Sequence, residues 1–333
     1  MPVACDLCGT DQPLTLAHRD KYGFLVPSVV CTRCGLLYLN PRPTPEAYAE
    51  FYVAEYRTLV MAEKNLNARY QAQRGHGEFI LDFCRDLLQD PKRVLDIGCD
   101  VGGILHVVSE ALGCDAYGVE PDQEAAAYAQ EKVGRSPIFA GNFEEAPLEA
   151  VTFDFIILTQ TLNHLLSPTD ALEKIRSLLS PRGVAFIEVY NVMATASWSN
   201  ITDHAKVDHP YMFGAATFRA LLGKVGLTIL RFAEDTFEDT LRKERLKLPG
   251  AHAHLRAAVC LGPRSDPKTL SGYREVRTLL RRSALRMAAP RLLRRLLGER
   301  VTAILRRLVG ERGHAMLHRF ASGRRREPRR INS

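Results

Sequence analysis

The chain has 333 residues, of which 46% are hydrophobic and 25% are charged, a composition typical of an ordinary globular protein. It has no run of about eighteen apolar residues and no secretory signal at its first residues, so we expect a cytoplasmic protein without a membrane-spanning helix. The net charge of +7 is unevenly distributed. Residues 264–333 carry 20 Lys and Arg against 5 Asp and Glu, whereas the remainder has a net charge of −8.

Four cysteines form two close pairs near the N-terminus, Cys5 with Cys8 and Cys31 with Cys34. Each pair has C-x2-C spacing and is followed by a glycine. Four thiolates so arranged, in a chain expected to be cytoplasmic, predict a structural Zn²⁺ ion rather than disulfides. The alternatives are a catalytic zinc ion and a redox pair. A closed shell of four sulfurs leaves no position for a substrate, which favours the structural role.

The segment between the cysteines and the first long strand is predicted to be helical. Apolar side chains recur at three- to four-residue spacing over residues 60–89. Gly75 and Gly77 interrupt this pattern, and we expect them to divide it into two helices.

Residues 94–105 are predicted to form a buried strand, a glycine-rich turn and a helix beginning near Gly103. Such a turn lets the backbone approach a ligand closely at a helix N-terminus. Asp96 lies in the strand, Asp100 stands where a dinucleotide-binding turn has its second glycine, and no P-loop lysine follows. The pattern therefore disfavours a pyrophosphate and favours a cationic ligand. The next strand ends at Glu120, where a carboxylate can bind a ribose diol.

Further apolar runs complete the predicted fold. Strands are predicted at residues 137–140, 155–158, 184–189, 227–232 and 252–261, with helices between most of them. Together with the two earlier strands they make seven. The expected fold class is therefore α/β, with a seven-stranded Rossmann-like sheet.

The run 94–105, the acid Glu120 and the segment 153–165 resemble the class I S-adenosylmethionine-dependent methyltransferases. The resemblance implies S-adenosylmethionine as cofactor. In it, Asn142 and Phe143 would contact the adenine, and Gln160 would contact the methionine end. The implied cofactor residues are Asp96, Gly98, Cys99, Asp100, Gly102, Glu120, Pro121, Asn142, Phe143 and Gln160. Asp100 departs from the glycine of the family pattern. This departure leaves a rival interpretation, a catalytically impaired methyltransferase-like binding or scaffold protein.

The cysteine pairs and the following Asn40-Pro41-Arg42-Pro43 resemble a zinc-binding module found on one branch of these methyltransferases, which includes enzymes acting on sugars and natural products. In that branch the segment matching Tyr52–Tyr56 approaches the cofactor or substrate; the alternative is a packed aromatic stripe. We therefore expect a zinc-binding module at 1–45, a helical connector or lid at 46–92, a methyltransferase domain at 93–263 and a tail at 264–333.

Transfer of a methyl group to a hydroxyl requires removal of a proton, and a neutral imidazole is the natural base near pH 7. His164, His204 and His209 follow predicted strands. His209, beside Asp208 and Tyr211, is the first candidate base, and His164 is the second or orients its loop. The resemblance implies O- or C-methylation of a sugar, glycoconjugate or natural product; a lipid-linked acceptor at a membrane surface is an alternative.

The tail has a pattern of its own. Residues 291–309 place leucine, isoleucine and valine side chains on one helical face and most arginines elsewhere, which predicts a basic amphipathic helix. Such a helix docks on the enzyme body or a second subunit, or lies peripherally on the inner membrane surface; we favour docking. The arginine-rich end is predicted to be disordered. It has no interleaved aromatic residues, so nucleic acid is not an expected partner.

Overall fold

The computed structural model describes residues 1–56, 59, 65–134, 136–196, 204–235, 253–267, 273–274 and 276–278. The amphipathic helix predicted at 291–309 lies outside these residues. Among the helices that are described, none combines the length and the apolar character needed to span a membrane.

The described part of the chain contains strands and helices in alternation over most of its length. The strands are β1 Pro13–Ala17, β2 Ser28–Cys31, β3 Leu37–Leu39, β4 Arg93–Ile97, β5 Asp115–Glu120, β6 Ile138–Ala140, β7 Phe153–Thr159, β8 Leu179–Tyr190, β9 Tyr211–Met212, β10 Leu227–Glu234 and β11 His254–Leu261. The helices are α1 Pro45–Phe51, α2 Leu66–Cys84, α3 Gly103–Leu112, α4 Gln123–Val133, α5 Pro168–Leu178, α6 Val192–Ala196 and α7 Ala215–Lys224. A π-helical turn, Tyr52–Tyr56, continues α1.

The largest sheet has seven strands in the order β10-β11-β8-β7-β4-β5-β6. Strands β8, β7, β4, β5 and β6 pair in parallel, whereas β11 is antiparallel to both β8 and β10. The central strands are almost wholly apolar because both faces of a parallel sheet are covered. This sheet confirms the predicted α/β, Rossmann-like fold class.

A second sheet joins the N-terminal residues to a distant part of the chain. Its order is β1-β2-β3-β9, and β9 contributes the pairs Leu37 with Met212 and Tyr38 with Tyr211. Side chains of the cysteine segment, including Cys5 and Cys31, belong to the same apolar core as the central strands. The N-terminal segment is therefore packed into the body of the protein.

The break predicted in the connecting helix is wrong, because α2 runs without interruption through Gly75 and Gly77. A Cβ atom on Gly77 would lie 3.2 Å from both the Ile104 carbonyl oxygen and the Val107 Cβ. Gly77 thus allows α2 to pack closely against α3. The glycine that looked like a helix breaker serves a helix–helix contact.

Candidate active site

The turn after β4 has the sharp conformation that its glycines predict. Gly98, Asp100 and Gly102 have φ angles of 75°, 51° and 76°. A Cβ atom on Gly98 would lie 2.3 Å from Thr161 Oγ1, so this position requires glycine for space as well as for conformation. Cys99 is buried within the turn, and burial raises the pKa of its thiol well above the ordinary value.

Asp100 is accommodated at its unusual position by two side chains of α2. Its carboxylate forms an ion pair with Arg69 and accepts a hydrogen bond from Gln73 Nε2 at 3.0 Å. Gln73 Oε1 also accepts the backbone amide of Gly103, at 2.8 Å, at the start of α3. Aspartate tolerates the left-handed conformation better than most residues. Because the Asp100 charge is paired with Arg69, the turn does not carry an uncompensated carboxylate at this position.

Two acids at the ends of β4 and β5 flank the turn. Asp96 is fully buried, and neither carboxylate oxygen has a hydrogen-bond partner within the described residues. Burial, with a smaller contribution from the charge of Glu120, raises the pKa of Asp96 to about 8. Glu120 accepts the backbone amides of Asp100 and Asp122, each at 2.9 Å. Glu120 thus links β5 to the turn. The side-chain oxygens of Asp96 can still form hydrogen bonds with a ligand.

Three other predicted cofactor residues follow β5 and β6. Pro121 and Asn142 are exposed directly after these strands, where a ligand can reach them. Phe143 is buried, and the amine of Lys174 lies 5.0 Å from the centre of its ring. The ends of β4, β5 and β6 therefore bring the predicted cofactor residues to one edge of the sheet.

Gln160 follows β7 and is held by a buried ionic network. It adopts a φ of 52°, and its side-chain nitrogen donates to Glu188 Oε1 at 3.2 Å. Glu188 also contacts His76 Nε2 at 3.3 Å and Arg256 Nε at 2.6 Å. Burial opposes ionisation of Glu188, but a hydrogen bond from His76 and the charges of His76, His254 and Arg256 lower its pKa to about 2. The amide oxygen of Gln160 takes no part in this contact with Glu188.

Two of the three candidate histidines come together in the structure. The rings of His164 and His209 are perpendicular, with centroids 4.5 Å apart. Asp208 Oδ2 lies 3.5 Å from His209 Nε2. Asp208 is fully buried; burial raises the pKa of its carboxyl, and the charge of Lys206 opposes that rise. The third histidine, His204, instead contacts the Tyr190 hydroxyl through Nδ1 at 2.9 Å.

Tyrosines of α1 and of the π-helical turn that continues it approach the histidines directly. The Tyr52 hydroxyl lies 2.6 Å from His164 Nδ1, and the Tyr48 hydroxyl donates to the carbonyls of His164 and Asp208 at 3.1 and 3.0 Å. Tyr56 stacks on Tyr52 with ring centroids 4.5 Å apart. These side chains are therefore part of the histidine cluster and not only a packed aromatic stripe.

The surroundings of His164 make it a poor base. Burial and the charge of Lys206 lower the pKa of His164 to about 4, against a hydrogen bond with the Asp208 backbone that raises it. If the Tyr52 hydroxyl donates to Nδ1, the proton of neutral His164 resides on Nε2. Neutral His164 then has a hydrogen-bonded Nδ1 and little affinity for another proton, so it suits an orienting role better than that of a base.

Tyr211 lies apart from the two histidines' contacts. Its hydroxyl accepts a hydrogen bond from Arg42 Nη1 at 2.8 Å and donates to the Leu166 carbonyl at 3.3 Å, while its ring stacks on Tyr38. Tyr211 therefore joins the N-terminal segment to the loop that carries His209.

Most of the buried polar side chains without partners belong to this edge of the sheet. In the part of the chain that the structure describes, both side-chain polar atoms of Asp96, Asn163 and Asp208 lack a hydrogen-bond partner. Buried polar groups are nearly always satisfied by protein, water or ligand. Their concentration beside the turn and the histidines is what a binding site for a polar ligand requires.

The four N-terminal cysteines converge as their spacing predicts. Their sulfurs cluster within 4.8 Å of one another, with Cys5 and Cys34 sulfurs 3.5 Å apart and Cys8 and Cys31 sulfurs 3.6 Å apart. A tetrahedral zinc ion with Zn–S bonds of about 2.3 Å separates its sulfurs by roughly 3.8 Å. The donor set and spacing therefore fit a four-coordinate zinc ion and not a disulfide.

Several residues of this site carried no signal in the sequence. Arg69 and Gln73 reach Asp100 from α2, and Tyr48 reaches residues more than 100 positions away. The spacing of Tyr48, Tyr52 and Tyr56 at every fourth residue was the available hint, since such residues share a helical face.

The chain has clear relatives among methyltransferases. A family model described as a methyltransferase domain matches residues 61–231, just over half of the chain. A ubiquinone biosynthesis O-methyltransferase of Paraburkholderia phymatum is 34% identical over 106 residues, covering 30% of this chain and 45% of that protein. A sterol 24-C-methyltransferase of Schizosaccharomyces pombe is 27% identical over 161 residues, covering 44% of this chain and 42% of that protein. The matches thus span less than half the length of these relatives.

The chain is also similar in fold to solved structures. One example is a S-adenosylmethionine-dependent methyltransferase from Clostridium acetobutylicum, which aligns over 65% of this chain and 99% of its own, with 13% identity and a TM-score of 0.44, too distant to bear on function. The family match is the stronger finding, because it includes the turn after β4, Glu120 and both histidines of the cluster. The chain therefore belongs to the methyltransferase domain family.

Proposed function

We propose that the protein is an S-adenosylmethionine-dependent methyltransferase whose acceptor binds beside the His164–His209 cluster. In this proposal the turn at 98–102 and Glu120 hold the nucleoside, Asn142 and Phe143 take the adenine, and Gln160 takes the methionine end. When bound, the cofactor supplies an electrophilic methyl group on a positively charged sulfur. The residues of the chain bind and orient the acceptor and remove its proton.

The observation that carries this proposal is the contact between the turn after β4 and the loop of His164: Thr161 Oγ1 donates to the Ile97 carbonyl at 3.2 Å, and the His164 amide donates to the Thr161 carbonyl at 2.9 Å. Tyr56 stacks on Tyr52, which contacts His164, so it adjoins the histidine cluster. Burial raises the pKa of Tyr56 above its ordinary value, and the charges of Asp208 and Glu120 add to that rise.

His209 is the proposed proton acceptor. A hydroxyl acceptor placed beside His209 gives its proton to the imidazole as the acceptor oxygen attacks the methyl group. Asp208, with Oδ2 at 3.5 Å from His209 Nε2, stabilises the imidazolium that forms. His164, held by Tyr52, packs against the His209 ring and orients it. Tyr211 acts through the backbone of the loop and not on the acceptor.

The acceptor is proposed to be a hydroxyl, or an acidic carbon, of a sugar, glycoconjugate or natural product. The names of the two curated relatives describe one O-methyltransferase and one C-methyltransferase, which supports both types of acceptor atom. The zinc ion proposed at the four cysteines would be structural, because a sulfur shell of four is closed to substrate.

The proposal is tested by incubating the protein and S-adenosylmethionine with a panel of hydroxylated sugars and phenols and measuring product masses. We expect at least one acceptor to gain one methyl group. His209→Ala should reduce that transfer by about 100-fold or more, whereas His18→Ala, which alters an exposed histidine, should leave it unchanged. Failure of the whole panel, together with no binding of S-adenosylmethionine, would contradict the proposal and favour a binding or scaffold protein.

A further inference from the structure

The turn between β1 and β2 contains a buried acid. Asp20 is only 6% exposed, although the neighbouring Arg19 and Lys21 are exposed. A buried carboxylate is costly unless hydrogen bonds compensate it, so its partners indicate what the turn contributes.

Asp20 fastens two separate stretches of backbone with its two oxygens. Oδ1 accepts the amides of Tyr22 and Phe24, both at 2.9 Å, and so orders its own turn. Oδ2 accepts the amide of Val207 at 2.9 Å, across 187 positions of sequence. The backbone amide of Lys21 donates to the Ala205 carbonyl, also at 2.9 Å. The turn is therefore attached to residues 205–207 at two adjacent points.

The residues that follow Val207 are Asp208 and His209, and a second attachment lies directly beyond them. The Leu39 amide donates to the Pro210 carbonyl at 2.9 Å, and β3 then pairs with β9. The backbone of Asp208 and His209 is thus held on both sides by the N-terminal segment, at Val207 before it and at Pro210 after it.

We propose that Asp20 is a positioning residue for the His209 base. It fixes the amide of Val207 and thereby sets where the next two residues place the His209 imidazole against the acceptor. A base acts only within hydrogen-bond reach of the proton it removes, so a small displacement of this loop reduces the rate strongly. The inference rests on the proposed function, because it takes His209 to be the base.

The inference also gives the cysteine segment a role in the reaction. Cys31 ends β2, and its backbone pairs with Pro13 at the base of the same β1–β2 hairpin. The hairpin therefore connects the cysteine cluster, at one end, to the loop of the proposed base at the other.

The test compares Asp20→Asn with the matched control Asp6→Asn. Asparagine keeps the shape of the side chain but replaces one accepting oxygen with an amide group that cannot accept a hydrogen bond. Asp6 also joins the N-terminal segment to the body, but it does so through Thr169, with Oδ2 accepting from Thr169 Oγ1 at 2.6 Å and from the Thr169 amide at 3.1 Å. Any effect of loosening the segment in general should appear in both variants.

Four measurements test the inference, and the first two report directly on the loop. In Asp20→Asn, hydrogen exchange of the amides at 207–212 should accelerate by about tenfold or more, and the His209 signal in an NMR spectrum of ¹³C-histidine-labelled protein should shift or broaden. The calorimetric affinity for S-adenosylmethionine should change less than twofold. The turnover number with an acceptor from the panel should fall at least tenfold. Asp6→Asn should leave exchange at 207–212 and the His209 signal unchanged.

The outcomes separate the inference from the proposed function. Unchanged exchange and an unchanged His209 signal in Asp20→Asn would overturn the inference, as would accelerated exchange with an unaltered turnover number. Wild-type protein that neither binds S-adenosylmethionine nor methylates an acceptor would instead overturn the proposed function. If Asp20→Asn does not fold, hydrogen exchange in the wild-type protein tests the inference instead. The Val207 amide should then be protected as strongly as the amides of β8. Rapid exchange of the Val207 amide would overturn the inference.

Discussion

The Tyr52 hydroxyl lies 2.6 Å from His164 Nδ1, a contact that joins the end of the N-terminal segment to the loop after β7. Tyr52 is the first residue of the π-helical turn at 52–56. Such turns are frequent at functional sites. Because the pKa of His164 is lowered to about 4, the imidazole is neutral at physiological pH, and a hydrogen bond donated by Tyr52 to Nδ1 leaves its proton on Nε2.

Removing the Tyr52 hydroxyl should impair catalysis without weakening cofactor binding. We expect Tyr52→Phe to lower the turnover number by about three- to tenfold, the worth of one hydrogen bond. Tyr70→Phe is the matched control, because Tyr70 makes the same kind of contact to His106 Nδ1, at 2.5 Å, away from the histidine cluster. Steady-state kinetics check both variants. Equal losses in the two would contradict an orienting role for Tyr52.

The ion pair between Asp100 and Arg69 should contribute to the free energy of unfolding, so that the effects of removing the two side chains are not additive. Arg69→Ala leaves a largely buried carboxylate unpaired, and we expect it to lower the free energy of unfolding by about 1–2 kcal/mol. Asp100→Gly loses the same pair but relieves the left-handed backbone, so its effect should be smaller. Urea denaturation of the two single variants and the double variant measures the coupling. Strict additivity would show that Arg69 does not compensate Asp100.

The cysteine cluster should hold one zinc ion per chain. Elemental analysis by mass spectrometry should find one equivalent in the wild-type protein and much less in Cys34→Ser, which should also melt at a lower temperature. Cys114→Ser is the control, since Cys114 lies after α3, outside the cluster. A full equivalent of zinc retained by Cys34→Ser would rule out the four-sulfur site.

Much of the fold was predictable because apolar runs and glycines act locally. The runs that became β4 and β7 are mostly apolar and contain β-branched residues, and Gly98 and Gly102 have the left-handed conformations that a sharp turn requires. Gly77 shows the limit of such reasoning. Its pattern is that of a helix breaker, but the contact that explains it is with Ile104 on another helix.

The candidate site was only partly predictable for the same reason. His164 and His209 were candidates because each follows a strand, yet nothing local indicates that Tyr52 meets His164 or that Asp20 meets Val207. The two-residue strand β9 is too short to produce a pattern, so the attachment of the N-terminal segment to the loop of His209 was not foreseen.

The buried Glu188 should make stability depend on pH in the acid range. Its folded-state pKa of about 2 lies below the ordinary value of 4.5, so its contribution is complete above pH 4.5 and is lost as the pH falls towards 2. The difference corresponds to roughly 3 kcal/mol at most. Glu188→Gln should be less stable at pH 7, because it removes the carboxylate that partners Arg256, and should show a shallower decline between pH 4.5 and 3 in urea denaturation. An acid decline as steep as that of the wild type would contradict this assignment.

The binding of S-adenosylmethionine, measured by isothermal titration calorimetry, tests the central claim most directly. Glu120→Gln is the informative variant, because it removes one of the oxygens that fasten Asp100 and Asp122, and Glu131→Gln is an exposed control on α4. We predict saturable binding to the wild-type protein and to Glu131→Gln, and an affinity about 10- to 100-fold lower in Glu120→Gln. No heat of binding to the wild-type protein, or equal affinities in all three proteins, would contradict a cofactor site at the turn after β4.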